Sequence, residues 1–171
     1  MSKISSFEKK GYVIIELNKK YLKTLSKIKN HLEKETVKKL TKKNDFSLEN
    51  FHKFKLKATS LNNFRMEAIE KINKIKNLKL EIYNSMSDFL NECLGPDIIV
   101  QKRINLVIQK PNDNNRAPFH KDAPGNSNYE LVVWIPLVDC YRSMNMYIFE
   151  LSKHKKTQKF LQKNKSIKKF E

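Results

Sequence analysis

The sequence predicts an α+β fold, with helices in its first half packed on the outside of an antiparallel sheet or part of a barrel. Three observations lead there. No proline precedes Pro96, whereas Pro96, Pro111, Pro118, Pro124 and Pro136 all fall at or after it. The spacing of apolar residues changes at the same point from about 3.6, the helical period, to 2, the strand period. The later segments are short and are separated by loop-forming runs such as KPNDNN at 110–115 and PGNSN at 124–128.

The elements follow in order. Residues 11–17, GYVIIEL, predict a short strand. Asn18 can cap a helix that runs to about Leu40, because Tyr21, Leu25, Ile28 and Leu32 recur at helical spacing. A loop is expected around Asn44 and Asp45. A second helix carries Leu61, Phe64, Ala68, Ile72 and Ile75. A third carries Ile82, Met86, Phe89, Leu90 and Cys93, with Gly95 and Pro96 as its stop. These stripes are the size and spacing of core-facing surfaces.

Beyond Pro96 strands are expected at 97–101, 103–109, 118–122, 129–138 and 146–151. Along 103–109, Ile104, Leu106 and Ile108 share one face, and Arg103, Asn105, Val107 and Gln109 share the other. The run at 129–138 is apolar on both faces, the pattern of an internal strand. From Ser152 a Lys-rich amphipathic helix is expected, with Phe160, Leu161 and Ile167 as its apolar contacts. The organisation is one domain over 1–171: helical support at 1–95, a β core at 96–151 and a basic helical tail at 152–171.

Composition narrows the function classes. The chain carries a formal charge of +17 and 39% hydrophobic residues, enough for a folded core. No apolar run is long enough to span a membrane, and the N-terminus lacks the apolar stretch of a signal peptide. Cys93 and Cys140 both sit in apolar sequence and read as buried free thiols of a reducing cytoplasm. The charge alone suggests nucleic acid. Against that, only four of the 35 basic residues are Arg, and the bases are spread through helices and tail. Between Lys110 and Glu150 basic and acidic residues nearly balance. The reading therefore assigns no nucleic-acid partner and no membrane.

The candidate site lies in that balanced window. His120 and Asp122 stand two residues apart, so on extended backbone they project from one face and can grip one ion. A His and a carboxylate in that relation are two thirds of a two-His-one-carboxylate facial triad, which holds iron(II) and leaves positions open. The bland alternative is a polar pair at a strand end.

PFHKD at 118–122, VVWIPLVD at 132–139 and SMNMYI at 143–148 follow one another in order. Through them the stretch from Arg103 to Glu150 resembles the iron(II)/2-oxoglutarate-dependent oxygenases. The closer likeness is to the phytanoyl-CoA dioxygenase-like branch, and within it to the oxygenases of sporadically distributed carbohydrate-biosynthesis clusters. The resemblance implies a partial double-stranded β-helix, a jelly-roll or cupin-like barrel, carrying the helices on its outside. It implies iron(II) on His120 and Asp122, and 2-oxoglutarate as co-substrate. Asn105 and Gln109 are expected to reach the 2-oxoglutarate carboxylates, with Arg103 and Trp134 in the pocket wall. The reaction implied is oxidative decarboxylation to succinate and carbon dioxide, coupled to hydroxylation of a sugar, nucleotide-sugar or other small metabolite.

One departure stands out. The family's distal His and the Arg that follows it have no counterpart after Asp122. His154 is the remaining downstream His, in a segment whose His is not normally a ligand, and no Arg follows Arg142. The resemblance therefore implies a C-terminally incomplete copy, with self-association through exposed strand edges. The alternative is a non-catalytic remnant or binding domain whose basic surface meets anionic partners.

Overall fold

The computed structural model describes residues 2–37, 47–111, 130–142 and 145–163. The described residues are helical and contain no strand, so they form neither a sheet nor a β-helix barrel. Among the described residues there are six α-helices: α1 (Lys3–Lys10), α2 (Lys19–Leu32), α3 (Ala58–Asn73), α4 (Leu78–Asn84), α5 (Ser87–Leu94) and α6 (His154–Lys163). A π-turn at Glu33–Val37 extends α2, and 3₁₀ turns occupy Leu48–Lys53 and Leu151–Lys153. No described helix is long and apolar enough to cross a membrane. The chain divides into two compact units, one of residues 17–85 and 98–140, the other of residues 1–16, 86–97 and 141–171.

The larger unit is built on the stripes the sequence displays. Ile28 and Leu32 of α2 and Leu61, Phe64, Ala68 and Ile72 of α3 are buried, together with Phe51 and Leu78. Phe51 and Phe64 stack with centroids 4.8 Å apart. Asn18 caps α2, its Oδ1 accepting from Tyr21 N at 3.3 Å. Glu33 Oε1 accepts from Leu48 N at 2.7 Å, which ties the π-turn to the 3₁₀ turn. Lys29 donates to Glu49 and holds that carboxyl below the usual carboxylate range. On α4, Glu81 accepts from Thr24 Oγ1 at 3.0 Å and pairs with Lys27 at 3.5 Å.

In the smaller unit the chain opens with α1, ahead of the strand expected at 11–17. Ser2 caps it by accepting from Ser5 N at 3.1 Å, and Gly11 ends it at φ +78°. Phe7 of α1 meets Phe89 of α5 edge to face, with centroids 5.8 Å apart. A Cβ at Gly11 would lie 3.4 Å from Leu151 Cβ, so both the positive φ and the close approach favour glycine there.

The third predicted helix is two, α4 and α5. Ser85 Oγ donates to Ile82 O at 2.6 Å, and Met86 leaves helical geometry at φ −143°. A hydroxyl that competes for the helix carbonyls makes the break.

The expected strands are the main correction. Residues 12–17, 97–101, 103–109, 130–138 and 146–150 carry no strand assignment, and 118–122 lies outside the described residues. Among the described residues none of these segments pairs with another as a strand. Alternation places side chains on two faces, but a strand exists only when a second backbone completes the ladder. Here Ile104, Leu106 and Ile108 do turn inward, and what they meet is the helical core. The run at 130–138 is no internal strand either, since Val132, Val133 and Trp134 are 59%, 41% and 43% exposed.

Candidate functional site

Arg103, Asn105 and Gln109 owe their position to α3. Asn73 Nδ2 donates to Ile104 O at 2.9 Å, and its Oδ1 accepts from Ile104 N at 2.8 Å. One side-chain amide thus satisfies both backbone groups of residue 104, as a neighbouring strand would. Four residues on, Ile108 O accepts from Arg65 Nε at 3.0 Å and Nη2 at 2.6 Å.

The spacing of the two grips is set by geometry. Eight helical residues from Arg65 to Asn73 rise about 12 Å. Four extended residues from Ile104 to Ile108 span about 13 Å. The segment therefore lies antiparallel along α3 with its apolar side down. Lys79 Nζ donates to Lys102 O at 2.8 Å, and Lys110 donates to Phe54 O, so the segment is held at both ends.

The opposite side is exposed and carries Arg103, Asn105, Val107 and Gln109. Asn105 Oδ1 accepts from Leu106 N at 3.0 Å, which leaves its amide hydrogens directed to other partners. Arg103 and Asn105 are about 6.6 Å apart along the segment, and Gln109 is about 13 Å beyond Asn105. This face bears hydrogen-bond donors and no carboxylate, the donor chemistry that suits a dicarboxylate ligand. Trp134 is half-exposed in the same unit.

His120 and Asp122 lie outside the described residues. Among the described residues no group of three His, Cys, Asp or Glu is placed to hold a metal. The other histidines are individually placed. His52 Nδ1 donates to Glu49 O at 2.8 Å, and His154 is exposed at the start of α6. His31 is partly buried, and its Nε2 is shut off from water with no hydrogen-bond partner. Such an atom costs on the order of 1–3 kcal/mol.

Both cysteines are free, Cys93 partly buried and Cys140 exposed, where sequence predicts two buried thiols. Desolvation pushes both thiols up, reinforced by Glu92 and Glu8 at Cys93 and by Asp139 at Cys140, so neither is an activated nucleophile.

Two features escape sequence reasoning. Arg65 and Asn73 position the candidate face, and their spacing of eight acquires meaning only once an extended segment lies across them. An open lysine face runs along α2 and the π-turn, bearing Lys19, Lys23, Lys27, Asn30, His31 and Lys34. Its signal, lysines at spacing four, is present in the sequence.

Comparisons with models of protein families, with curated proteins and with solved structures find no match.

Proposed function

We propose that this chain performs iron(II)/2-oxoglutarate-dependent oxidation of a small metabolite or sugar intermediate, with His120 and Asp122 as protein ligands to the metal. The carrying observation is the order and spacing of PFHKD, VVWIPLVD and SMNMYI along residues 118–148. The donor-rich face of Arg103, Asn105 and Gln109 supports it, because guanidinium and amide groups suit the carboxylates of 2-oxoglutarate. When bound, iron and 2-oxoglutarate supply the oxidising chemistry. The chain's own residues hold the metal and orient the co-substrate: Arg103 by charge, Asn105 and Gln109 by amide hydrogen bonds. The free thiols of Cys93 and Cys140 accord with a reducing cytoplasm.

The test is metal binding. Manganese(II), a paramagnetic surrogate for iron(II), should bind at one weak site, since two protein ligands leave most positions to water. His120→Ala and Asp122→Ala should each abolish that binding, and Arg103→Ala should weaken 2-oxoglutarate binding to the metal-loaded chain. Manganese binding that survives both ligand substitutions would refute the reading.

A further inference from the structure

The grips on the extended segment fall on one edge of it. Lys79 Nζ donates to Lys102 O, Asn73 takes both backbone groups of Ile104, and Arg65 donates to Ile108 O. On extended backbone the N–H and C=O of one residue leave from one edge, and those of the next residue from the other. All of these grips from α3 and α4 fall on even-numbered residues. The odd-numbered Arg103, Asn105 and Gln109 are exposed, while Ile104, Leu106 and Ile108 pack on the core.

The grips fix a register. A slip of one residue would turn Arg103, Asn105 and Gln109 inward and the aliphatic residues outward, and burial opposes it. A slip of two would keep the faces but carry every donor about 6.6 Å along α3. Burial discriminates less against that slip, because residues 104, 106 and 108 are all aliphatic. Asn73 does discriminate. Its amide also donates to Ile69 O at 2.7 Å, so it is anchored to its own helix and selects residue 104. Arg65 selects residue 108 in the same way. Between them Leu106 N donates to Asn105 Oδ1 at 3.0 Å, which orients the Asn105 amide by its oxygen.

We propose that Asn73 and Arg65 are positioning residues for the carboxylate ligand of this face, setting which donors it meets without touching it. Asn73 acts through Arg103 and Asn105, which flank residue 104. Arg65 acts through Gln109, next to residue 108. The inference rests on the reading of this face as the 2-oxoglutarate site.

The experiment is a set of double-mutant cycles on 2-oxoglutarate affinity, measured by calorimetry on the full manganese-loaded chain. Asn105→Ala should weaken binding about fivefold, and Asn73→Ala at least as much. The two together should weaken it no more than Asn73→Ala alone, since a displaced Asn105 has nothing further to lose. Asn73→Ser, milder for the fold, should show the same pattern. The effects of Asn73→Ala and Gln109→Ala should instead multiply, because residues 104 and 109 are about 16 Å apart. Arg65→Lys keeps the charge but loses the two-pronged grip; its effect should multiply with that of Asn105→Ala and not with that of Gln109→Ala. Ile28→Val trims the buried core on α2, so it should lower stability in urea yet change affinity less than about twofold. The proposal is overturned if Asn73→Ala leaves affinity unchanged, if its effect multiplies with that of Asn105→Ala, or if Ile28→Val weakens binding as much. If the unsubstituted chain does not bind 2-oxoglutarate, or neither Arg103→Ala nor Asn105→Ala alters affinity, the reading of the face fails and the proposal with it.

Discussion

Asn73 shows how much of this protein is decided by single polar side chains. Its amide stands in for a strand at residue 104 while also donating to Ile69 O at 2.7 Å. Removing it leaves two part-buried backbone groups without their protein partner, a loss of about 1–3 kcal/mol. Asn73→Ala should lower stability by that amount in urea unfolding, and should speed amide exchange at Ile104 more than at Leu61. Unchanged exchange at Ile104 would show that the clamp does not hold the segment. Nothing in the sequence marks Asn73 or Arg65, because both are polar residues on a helix whose apolar stripe reads clearly without them. The neighbouring stripe, Leu61 to Ile72, is legible because its spacing is local. The outward placement of Arg103, Asn105 and Gln109 is legible for the same reason, whereas His120 and Asp122 lie outside the described residues.

At the scale of elements, α3 is the centre of the larger unit. Phe64 is 3% exposed and stacks on Phe51, so Phe64→Ala removes an aromatic ring and leaves a cavity. The expected loss is about 3–5 kcal/mol, with Phe64→Leu costing clearly less. Chemical denaturation checks both; a loss below about 1 kcal/mol for Phe64→Ala would mean that the core collapses around the gap. Helix ends are well marked by local chemistry: Ser2 and Asn18 cap by hydrogen bonds, and Gly95 ends α5 at φ +84°. The break between α4 and α5 is not, since the apolar residues keep helical spacing straight through Ser85 and Met86. The extended segments show the complementary failure. Period-two alternation is visible at 103–109, but the same alternation serves a strand in a sheet and a single chain laid on a helix.

For the whole molecule two opposing forces follow from composition and exposure. The charge of +17 repels a second copy. Ile99, Val107, Val132 and Tyr147 are 98%, 65%, 59% and 70% exposed outside the helices, which favours association. Salt screens the first force and strengthens the second, the Debye length falling from about 30 Å at 0.01 M to about 3 Å at 1 M. The average mass in sedimentation should therefore rise with salt, and Val132→Lys with Val133→Lys should suppress the rise. A mass independent of salt would remove self-association from the account.

What the sequence determined by itself is the set of features that a few neighbouring residues specify. These are α2 with its Asn18 cap, α3, the buried stripes of both, and the inward turn of Ile104, Leu106 and Ile108. The tertiary structure alone decided what those inward residues meet. A helix closes its hydrogen bonds within its own segment, so its sequence suffices. An extended segment must borrow its partner from a distant part of the chain, and here Arg65 and Asn73 of a helix supply it in place of a strand.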